Sequence, residues 1–346
     1  MGAQIDRSSG QAFYALTPER ILSAVECGGR RSTGYSMSLN SLENRVYDVE
    51  LADADGEAGE HVVAKFYRPG RWSERAILAE HQFLKELVEH EVPAVAPLPL
   101  DGSGATLRAV QTGDTHAMYF ALFPKVRGRA TEEPDDEKLE VLGRLLARLH
   151  NVGQIGDAVD RPRLDPASYG LHSLRILAER EIVPQAVVAT HRDVSRALCD
   201  AIATPYERLA PTSADVRIHA DCHHGNLLWD ANGPFFLDFD DFTRGPAVQD
   251  LWMVVPGRDP ESIARRGVLI DAYEEMRPFD SRTLALVEPL RALRILRYAG
   301  WIAERYDDPA FQRAFPDFLD ESFWRREVTV LAELLQQITR PQPWAT

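Results

Sequence analysis

The sequence predicts an α+β protein of two lobes, a small one of antiparallel strands plus a helix and a larger one that is mainly helical. Three observations predict it. The 346 residues exceed one ordinary domain of ~100–200 residues. Strand-like runs crowd the first third of the chain, and helical periodicity dominates the rest. With 45% hydrophobic and 27% charged residues the composition is that of a globular protein able to fill two cores.

Thr17-Pro18-Glu19 opens a helix, with Thr17 as N-cap and Pro18 at the first helical position, where its missing N–H costs nothing. Gly28-Gly29 ends it. Residues 45–51 place Tyr47, Val49 and Leu51 on one side, and 61–67 are β-branched and aromatic, so both read as strands around an acidic hairpin loop at 52–60. Ser73 caps a helix whose apolar stripe is Ile77, Leu84, Leu87 and Val88. The proline-rich segment 92–100 leaves that helix, 118–123 is a further strand, and the acidic segment 131–136 leads into the second lobe. There Leu139, Leu142, Leu145, Leu146 and Leu149 form one helix face, and 283–306 and 323–338 are helical in period. One short β segment interrupts the helices. It reads Leu227-Leu228-Trp229, a turn at 230–233, and Phe235-Phe236-Leu237, with Asn232-Gly233 supplying tolerance of positive φ.

Charge narrows the function. A net charge of −14 disfavours nucleic acid and anionic membrane surfaces, whose binding rests on Lys and Arg. Cys27, Cys199 and Cys222 form no CxxC pair, so neither a disulfide framework nor a thiolate zinc site is expected. No apolar run approaches the ~18 residues of a membrane span, and the first twenty residues carry Asp6, Arg7, Glu19 and Arg20 without an apolar core, so a cytoplasmic protein is expected.

The polar residues at the two ends of the hairpin carry the chemistry. Asp221 and Asn226 precede it and Asp238 follows it. A hairpin folds its ends together, so Asn226 and Asp238 are placed to share one cation. Few, hard oxygen donors suit Mg²⁺, which keeps waters and completes its octahedron with phosphate oxygens. A nucleotide phosphate is therefore implied. Asp221 then lies near that cation but beyond ligation, where it can accept a proton from an incoming hydroxyl. Four carboxylates here, at 221, 238, 240 and 241, are expected to repel one another unless a cation is present.

An ATP site also needs a cation in the first lobe. Lys65 lies mid-strand in Val62-Val63-Ala64-Lys65-Phe66-Tyr67, and Glu80 lies on the apolar stripe of the next helix, so each needs a partner and each can serve the other. Such a pair is the Lys–Glu ion pair of kinase folds, with Lys65 reaching the α- and β-phosphates. No GxxxxGK[ST] is present, which excludes a P-loop, and no GxGxxG precedes Lys65. The segment 37–45 can cover phosphates with backbone N–H groups and the Ser41 hydroxyl. A rival reading makes His219, His223 and His224 ligands of zinc or a metal pair in a hydrolase completed by Asp238. It leaves Asn226, Lys65 and Glu80 without roles. On the kinase-like reading His219 orients the loop backbone, and His223 and His224 are partly exposed.

These residues resemble the stress response kinase A group, bacterial serine/threonine kinases of aminoglycoside-phosphotransferase-like fold. The resemblance spans nearly the whole chain, in LNSLENRVYDV (39–49), VVAKFYRPGRW (62–72), ILAEHQFLKEL (77–87), IHADCHHGNLLW (218–229) and DFDDFTRGPAVQDLWM (238–253). It implies a bilobal protein-kinase-like fold with Asp221 as catalytic base, Asn226 and Asp238 as Mg²⁺ ligands, and Ser41 in the ATP-covering loop. It also implies a monomer, autophosphorylation and a protein hydroxyl as acceptor. Two departures stand beside the site. Ala220 replaces a commoner Gly, where Ala is expected only with negative φ, and one extra residue near Asn232 is expected to enlarge the hairpin turn.

The expectation is thus an ATP-binding lobe at 1–123, a hinge at 124–130 and a catalytic lobe at 131–346. ATP lies between the lobes, its adenine against hinge backbone near Leu122, Phe123 and Lys125. Alternatives of other kinds are a kinase for small amino alcohols or aminoglycosides, and a catalytically silent ATP-binding regulator.

Overall fold

The computed structural model describes residues 13–110, 118–130 and 133–340. Helix α1 (Pro18–Val25) is capped by Thr17, whose hydroxyl accepts the Arg20 N–H at 3.4 Å. The chain turns out of it through Gly28 and Gly29, both at positive φ. Gly28 has no room for a side chain, since a Cβ would stand 1.9 Å from the Leu100 carbonyl oxygen.

A five-stranded antiparallel sheet follows, with β1 (Ser32–Leu39), β2 (Arg45–Ala52), β3 (Ala58–Phe66), β4 (Arg108–Val110) and β5 (Met118–Pro124) in the spatial order β1-β2-β3-β5-β4. β1 departs from the expected loop at its start. It lies at the sheet edge with no buried residue, so it carries no apolar alternation for a sequence reading to find. The sheet's two faces serve different cores. Val49, Val62, Ala64, Phe66, Phe120 and Leu122 pack with α1. Val63, Ala121 and Phe123, one position out of phase, pack with α2 (Glu74–Glu89). Period-two alternation therefore puts Lys65, opposite Ala121 in the ladder, on the α2 side. Of the expected α2 stripe, Ile77, Leu84 and Leu87 are buried, but Val88 is exposed and Phe83 takes the core position.

The second lobe is helical, with α3 (Asp136–Ile155), α4 (His172–Glu179), α5 (Gln185–Leu209), α6 (Val248–Val254), α7 (Pro260–Glu274), α8 (Val287–Arg305), α9 (Pro309–Ala314) and α10 (Glu321–Thr339). Asp135 caps α3 by accepting the Lys138 N–H at 2.9 Å, while Thr131 and Glu132 of the acidic segment lie outside the described residues. Leu139, Leu142, Leu146 and Leu149 are buried, and Leu145 lies at the margin of the stripe. The helix expected from 283 begins only at Val287, after a 3-10 segment. Two β units replace the single expected one. The hairpin β8 (Leu227–Asp230) and β9 (Gly233–Phe236) is joined by β6 (Arg129–Ala130), and β7 (Val216–Ile218) pairs with β10 (Thr243–Gly245). Strands of two or three residues are too short to show a period. The hairpin turn is tight, with only Ala231 and Asn232 between the paired Asp230 and Gly233, so the expected enlargement is absent, and the positive φ falls on Gly233 alone.

Helices α3 and α7 touch through a glycine. A Cβ on Gly143 would stand 2.3 Å from the Leu269 carbonyl oxygen and 3.0 Å from Ala272 Cβ. Gly143→Ala is expected to lower unfolding stability by about 1–3 kcal/mol, the usual cost of overpacking, read from urea denaturation midpoints.

Candidate active site

The loop at 219–226 runs from β7 to the hairpin and is gripped by one buried carboxylate. Asp250 accepts the His219 and Ala220 N–H groups, each at 2.8 Å, and lies 3.0 Å from His150 Nε2. Gln249 Nε2 donates to the Ala220 carbonyl at 3.0 Å. So held, Ala220 takes φ +69°, which overturns the expectation of a negative value. The left-handed region costs an L-residue about 1–2 kcal/mol, and the bonds on both sides of Ala220 offset it. His219 lies 2.8 Å through Nε2 from the Leu237 carbonyl and accepts the Asp221 N–H through Nδ1 at 3.3 Å. Both ring nitrogens are thus spent on backbone, which leaves neither for a metal in this arrangement. His223 and His224 are partly exposed.

Asp221 projects from this loop. Its Oδ1 accepts Arg294 Nη1 at 2.6 Å, and its Oδ2 lies 3.4 Å from Asn226 Nδ2 and 3.5 Å from His223 Nε2. Burial raises its pKa, but the hydrogen bond from His223 and the charge of Arg294 outweigh that and hold the carboxyl well below the usual carboxylate range. At the far end of the hairpin, Leu237 N–H donates to the Asn226 carbonyl at 2.9 Å, so the chain ends at Asn226 and Asp238 meet. Both open onto the same cavity of ≈ 1340 Å³ between the lobes.

Lys65 enters that cavity from β3. Its Nζ lies 3.3 Å from Glu80 Oε1, 3.2 Å from Asp240 Oδ1 and 3.6 Å from Asp238 Oδ1. Burial works against its ammonium, but Asp240 and then Glu80 more than compensate, and the pKa stands well above the ordinary lysine value. Glu80 is shared with Arg161, whose Nη2 is 3.2 Å from Oε2 and whose Nη1 donates to the Asp240 carbonyl at 2.6 Å. Asp240 is further bound by Arg71 and by Asn44 Nδ2 at 3.3 Å, and Arg71 also donates to Asp241 at 2.6 Å. Buried among these groups, Asp240 would have a raised pKa, but Arg71 and then Lys65 depress it.

The cation that the carboxylate cluster requires comes largely from the protein itself. Arginines remote in sequence already neutralise three of the four, and Asp238 is the exception. At φ +55° it turns into the cavity, 57% exposed, with Lys65 as its one cation in ion-pair reach among the described residues. Partial desolvation within the cavity raises its pKa, and Asp240 and Asp241 add to this against the pull of Lys65. Asn226 Nδ2 donates to the Asp221 carbonyl at 2.9 Å, which leaves Oδ1 as the side-chain atom with lone pairs to offer. A carboxylate in electrostatic excess beside one amide oxygen fits a hard divalent cation that brings its own waters and phosphate oxygens. It does not make an all-protein cage, and among the described residues no group of three or more His, Cys, Asp or Glu could hold a metal.

Ser41 lies in the turn after β1, lining the cavity, and its hydroxyl accepts the Asn44 N–H at 3.3 Å. Glu43, two residues on, is buried among Arg305 at 2.7 Å, Arg68 at 3.2 Å and Arg71 at 3.3 Å, and it accepts the Trp301 indole N–H. Arg68 also reaches Asp308 at 3.0 Å. The turn is thereby tied to α8. At the end of β5 and just beyond it Phe123 and Lys125 line the cavity. Leu122 does not: alternation sends its side chain to the α1 core, and its carbonyl accepts the Leu98 N–H at 2.7 Å. The sequence reading missed Arg71, Arg161, Arg294 and Glu43, because the partners that give them meaning lie far off along the chain, as in Arg161–Glu80 and Arg71–Asp240. Arg71 and Glu43 did stand inside the blocks that carry the family resemblance, where charged residues beside apolar ones were the available signal.

A sheet lobe set on a helical lobe, with lysine, recessed acid and acid–amide pair opening onto one cavity, has the fold of the kinase-like phosphotransferases. Residues 38–290 match the Phosphotransferase enzyme family. Stress response kinase A of Salmonella paratyphi A is 38% identical over 329 residues, 95% of each chain, and the serine/threonine protein kinase RdoA of Salmonella typhimurium is 37% identical over the same extent. The fold is similar to that of amicoumacin kinase in complex with AMP-PNP, Ca²⁺ and Ami, with a TM-score of 0.74 at 17% identity, over 96% of this chain and 97% of that one. The chain belongs to the Phosphotransferase enzyme family and, within it, to the stress response kinase A group.

Arg71→Ala should destabilise the fold by up to about 3–5 kcal/mol at pH 7, since it leaves the buried Asp240 to Lys65, a cation already shared with Glu80 and Asp238. Asp240 has a depressed folded pKa, so its share of stability is complete above the unfolded carboxylate range near ~4 and fades as pH falls toward the folded value. Urea titrations from pH 7 to pH 3 should show the gap between wild type and variant narrowing below about pH 4.

Proposed function

We propose that this protein is an ATP- and Mg²⁺-dependent phosphotransferase that passes the γ-phosphoryl group to a Ser or Thr hydroxyl of a protein, itself included. One observation carries the reading: Lys65 with Glu80, Asp221, and Asn226 with Asp238 all open onto a single cavity between the lobes. The name of the Salmonella typhimurium relative, serine/threonine protein kinase, supports the acceptor. The free thiols Cys27, Cys199 and Cys222 suit a reducing cytoplasm. No helix among the described residues is long and apolar enough to cross a membrane. We take the protein to act there as a monomer.

In this reading 1–123 is the nucleotide-binding lobe, 124–130 the hinge and 131–346 the catalytic lobe. Adenine meets the backbone at 123–125, and Lys65 and the Ser41 turn hold the phosphates. Asn226 and Asp238 hold Mg²⁺, which supplies neutralisation of phosphate charge when bound. Asp221 is ionised at neutral pH because its carboxyl titrates low. Its Oδ1 holds the short bond from Arg294, whereas Oδ2 has only the longer contacts of Asn226 and His223, so Oδ2 takes the proton as the acceptor oxygen bonds to the γ-phosphorus. The bond to the bridging β–γ oxygen breaks, and ADP leaves with the electron pair. The protein's contribution is mainly position and charge.

Asp221→Asn should lower transfer from γ-labelled ATP by about 10²–10⁴-fold while sparing nucleotide binding. Full transfer by that variant removes Asp221 from the role. Asp238→Ala should instead abolish the difference in ATP affinity between buffers with and without Mg²⁺, measured by calorimetry, and an undiminished difference moves the metal elsewhere.

A further inference from the structure

Beyond Asp221 the cavity is walled by α8, and this wall is cationic although the chain as a whole is strongly acidic. Arg291, Arg294 and Arg297 recur every three residues along α8, and all three line the cavity. Their partners differ. Arg291 is satisfied by Glu288 at 3.2 Å and the Pro256 carbonyl at 2.7 Å. Arg294 gives Nη1 to Asp221 at 2.6 Å, and its side chain is otherwise 40% exposed. Arg297 is half-buried and makes no hydrogen bond or ion pair with any described residue; its guanidinium sits 5.7 Å from the Tyr169 ring centroid.

The acids near this wall are already engaged. Glu327 pairs with His191 at 2.9 Å, Asp241 with Arg71 at 2.6 Å, and Glu304 with Arg305 at 2.6 Å. A half-buried guanidinium facing a cavity without a counter-charge is costly unless a bound group supplies one. Its planar fork suits a carboxylate or a phosphate. A cationic acceptor such as an aminoglycoside would meet repulsion here, so local charge reverses what the net charge of −14 suggests.

We propose, resting on the phosphotransferase reading above, that the acceptor carries a carboxylate or phosphate beside its reacting hydroxyl, held by Arg297 and the free nitrogens of Arg294. On a protein acceptor this is a Ser or Thr flanked by Asp, Glu or a phosphorylated residue. On a small acceptor it is a hydroxycarboxylate or a hydroxylated phosphate ester.

The test uses the intact chain with Mg²⁺ and γ-labelled ATP. The acceptors are a serine peptide flanked by Asp, the same peptide flanked by Lys, glycerate and an aminoglycoside. The Asp peptide or glycerate should be used with a KM at least about tenfold below that of the cationic acceptors, and which of the two is used identifies the source of the anion. Arg297→Gln should raise that KM about tenfold with kcat nearly unchanged, and Arg297→Glu should shift preference toward the Lys peptide. Preference of the wild type for cationic acceptors, or an unchanged KM in Arg297→Gln, overturns the proposal. So does failure of every acidic probe both to be phosphorylated and to bind by calorimetry. Wild-type MgATP binding is measured first: its absence sinks the phosphotransferase reading and this proposal with it, whereas its presence makes a negative acceptor result count against the anion site alone.

Discussion

The structure depends on one buried carboxylate, Asp240. Around it converge Lys65 from the sheet, Arg71 from the segment before α2, Asn44 from the turn after β1, and Arg161 from the helical lobe. Removing that much charge from water is unfavourable unless every member is answered, and each cation here answers more than one acceptor. The network therefore fixes the distance between lobes as well as the position of Lys65. It also sets what is left over. Once Asp240 has drawn the cations to itself, Asp238 remains the carboxylate short of positive charge and turned toward the opening.

Backbone constraint does the same work on the other side of the cavity. Asp250 and Gln249 hold the loop at Ala220 in a conformation that a glycine would accept more readily, and His219 spends both ring nitrogens on the chain. Asp221 is thus delivered by a loop whose polar groups are already committed. Rigid delivery of the acid is worth more here than local ease of the backbone.

Much of this was legible in the sequence where a local rule applied. Thr17 and Ser73 cap as their residue types require, and the hairpin could be read from its turn residues and apolar flanks. Lys65 and Glu80 betrayed themselves as charges set among apolar neighbours. What stayed hidden had no local signal. β1 is an edge strand without an apolar face, β7 and β10 are three residues long, and Arg161 and Arg294 gain meaning only from acids 81 and 73 positions away. The error at Ala220 had a different origin: residue preference gave one sign of φ, and tertiary hydrogen bonds imposed the other.

Two stretches of helix α8 have separate tasks. Toward its C-terminus Trp301 and Arg305 clasp Glu43, in the turn that borders the cavity beside β1, while its middle presents Arg294 and Arg297 to the same cavity. One helix therefore borders the cavity in two places. Were a molecule at the Ser41 turn to shift α8, the arginines on the same helix would shift with it. Any such coupling would be reciprocal, each occupant altering the affinity for the other by the same factor.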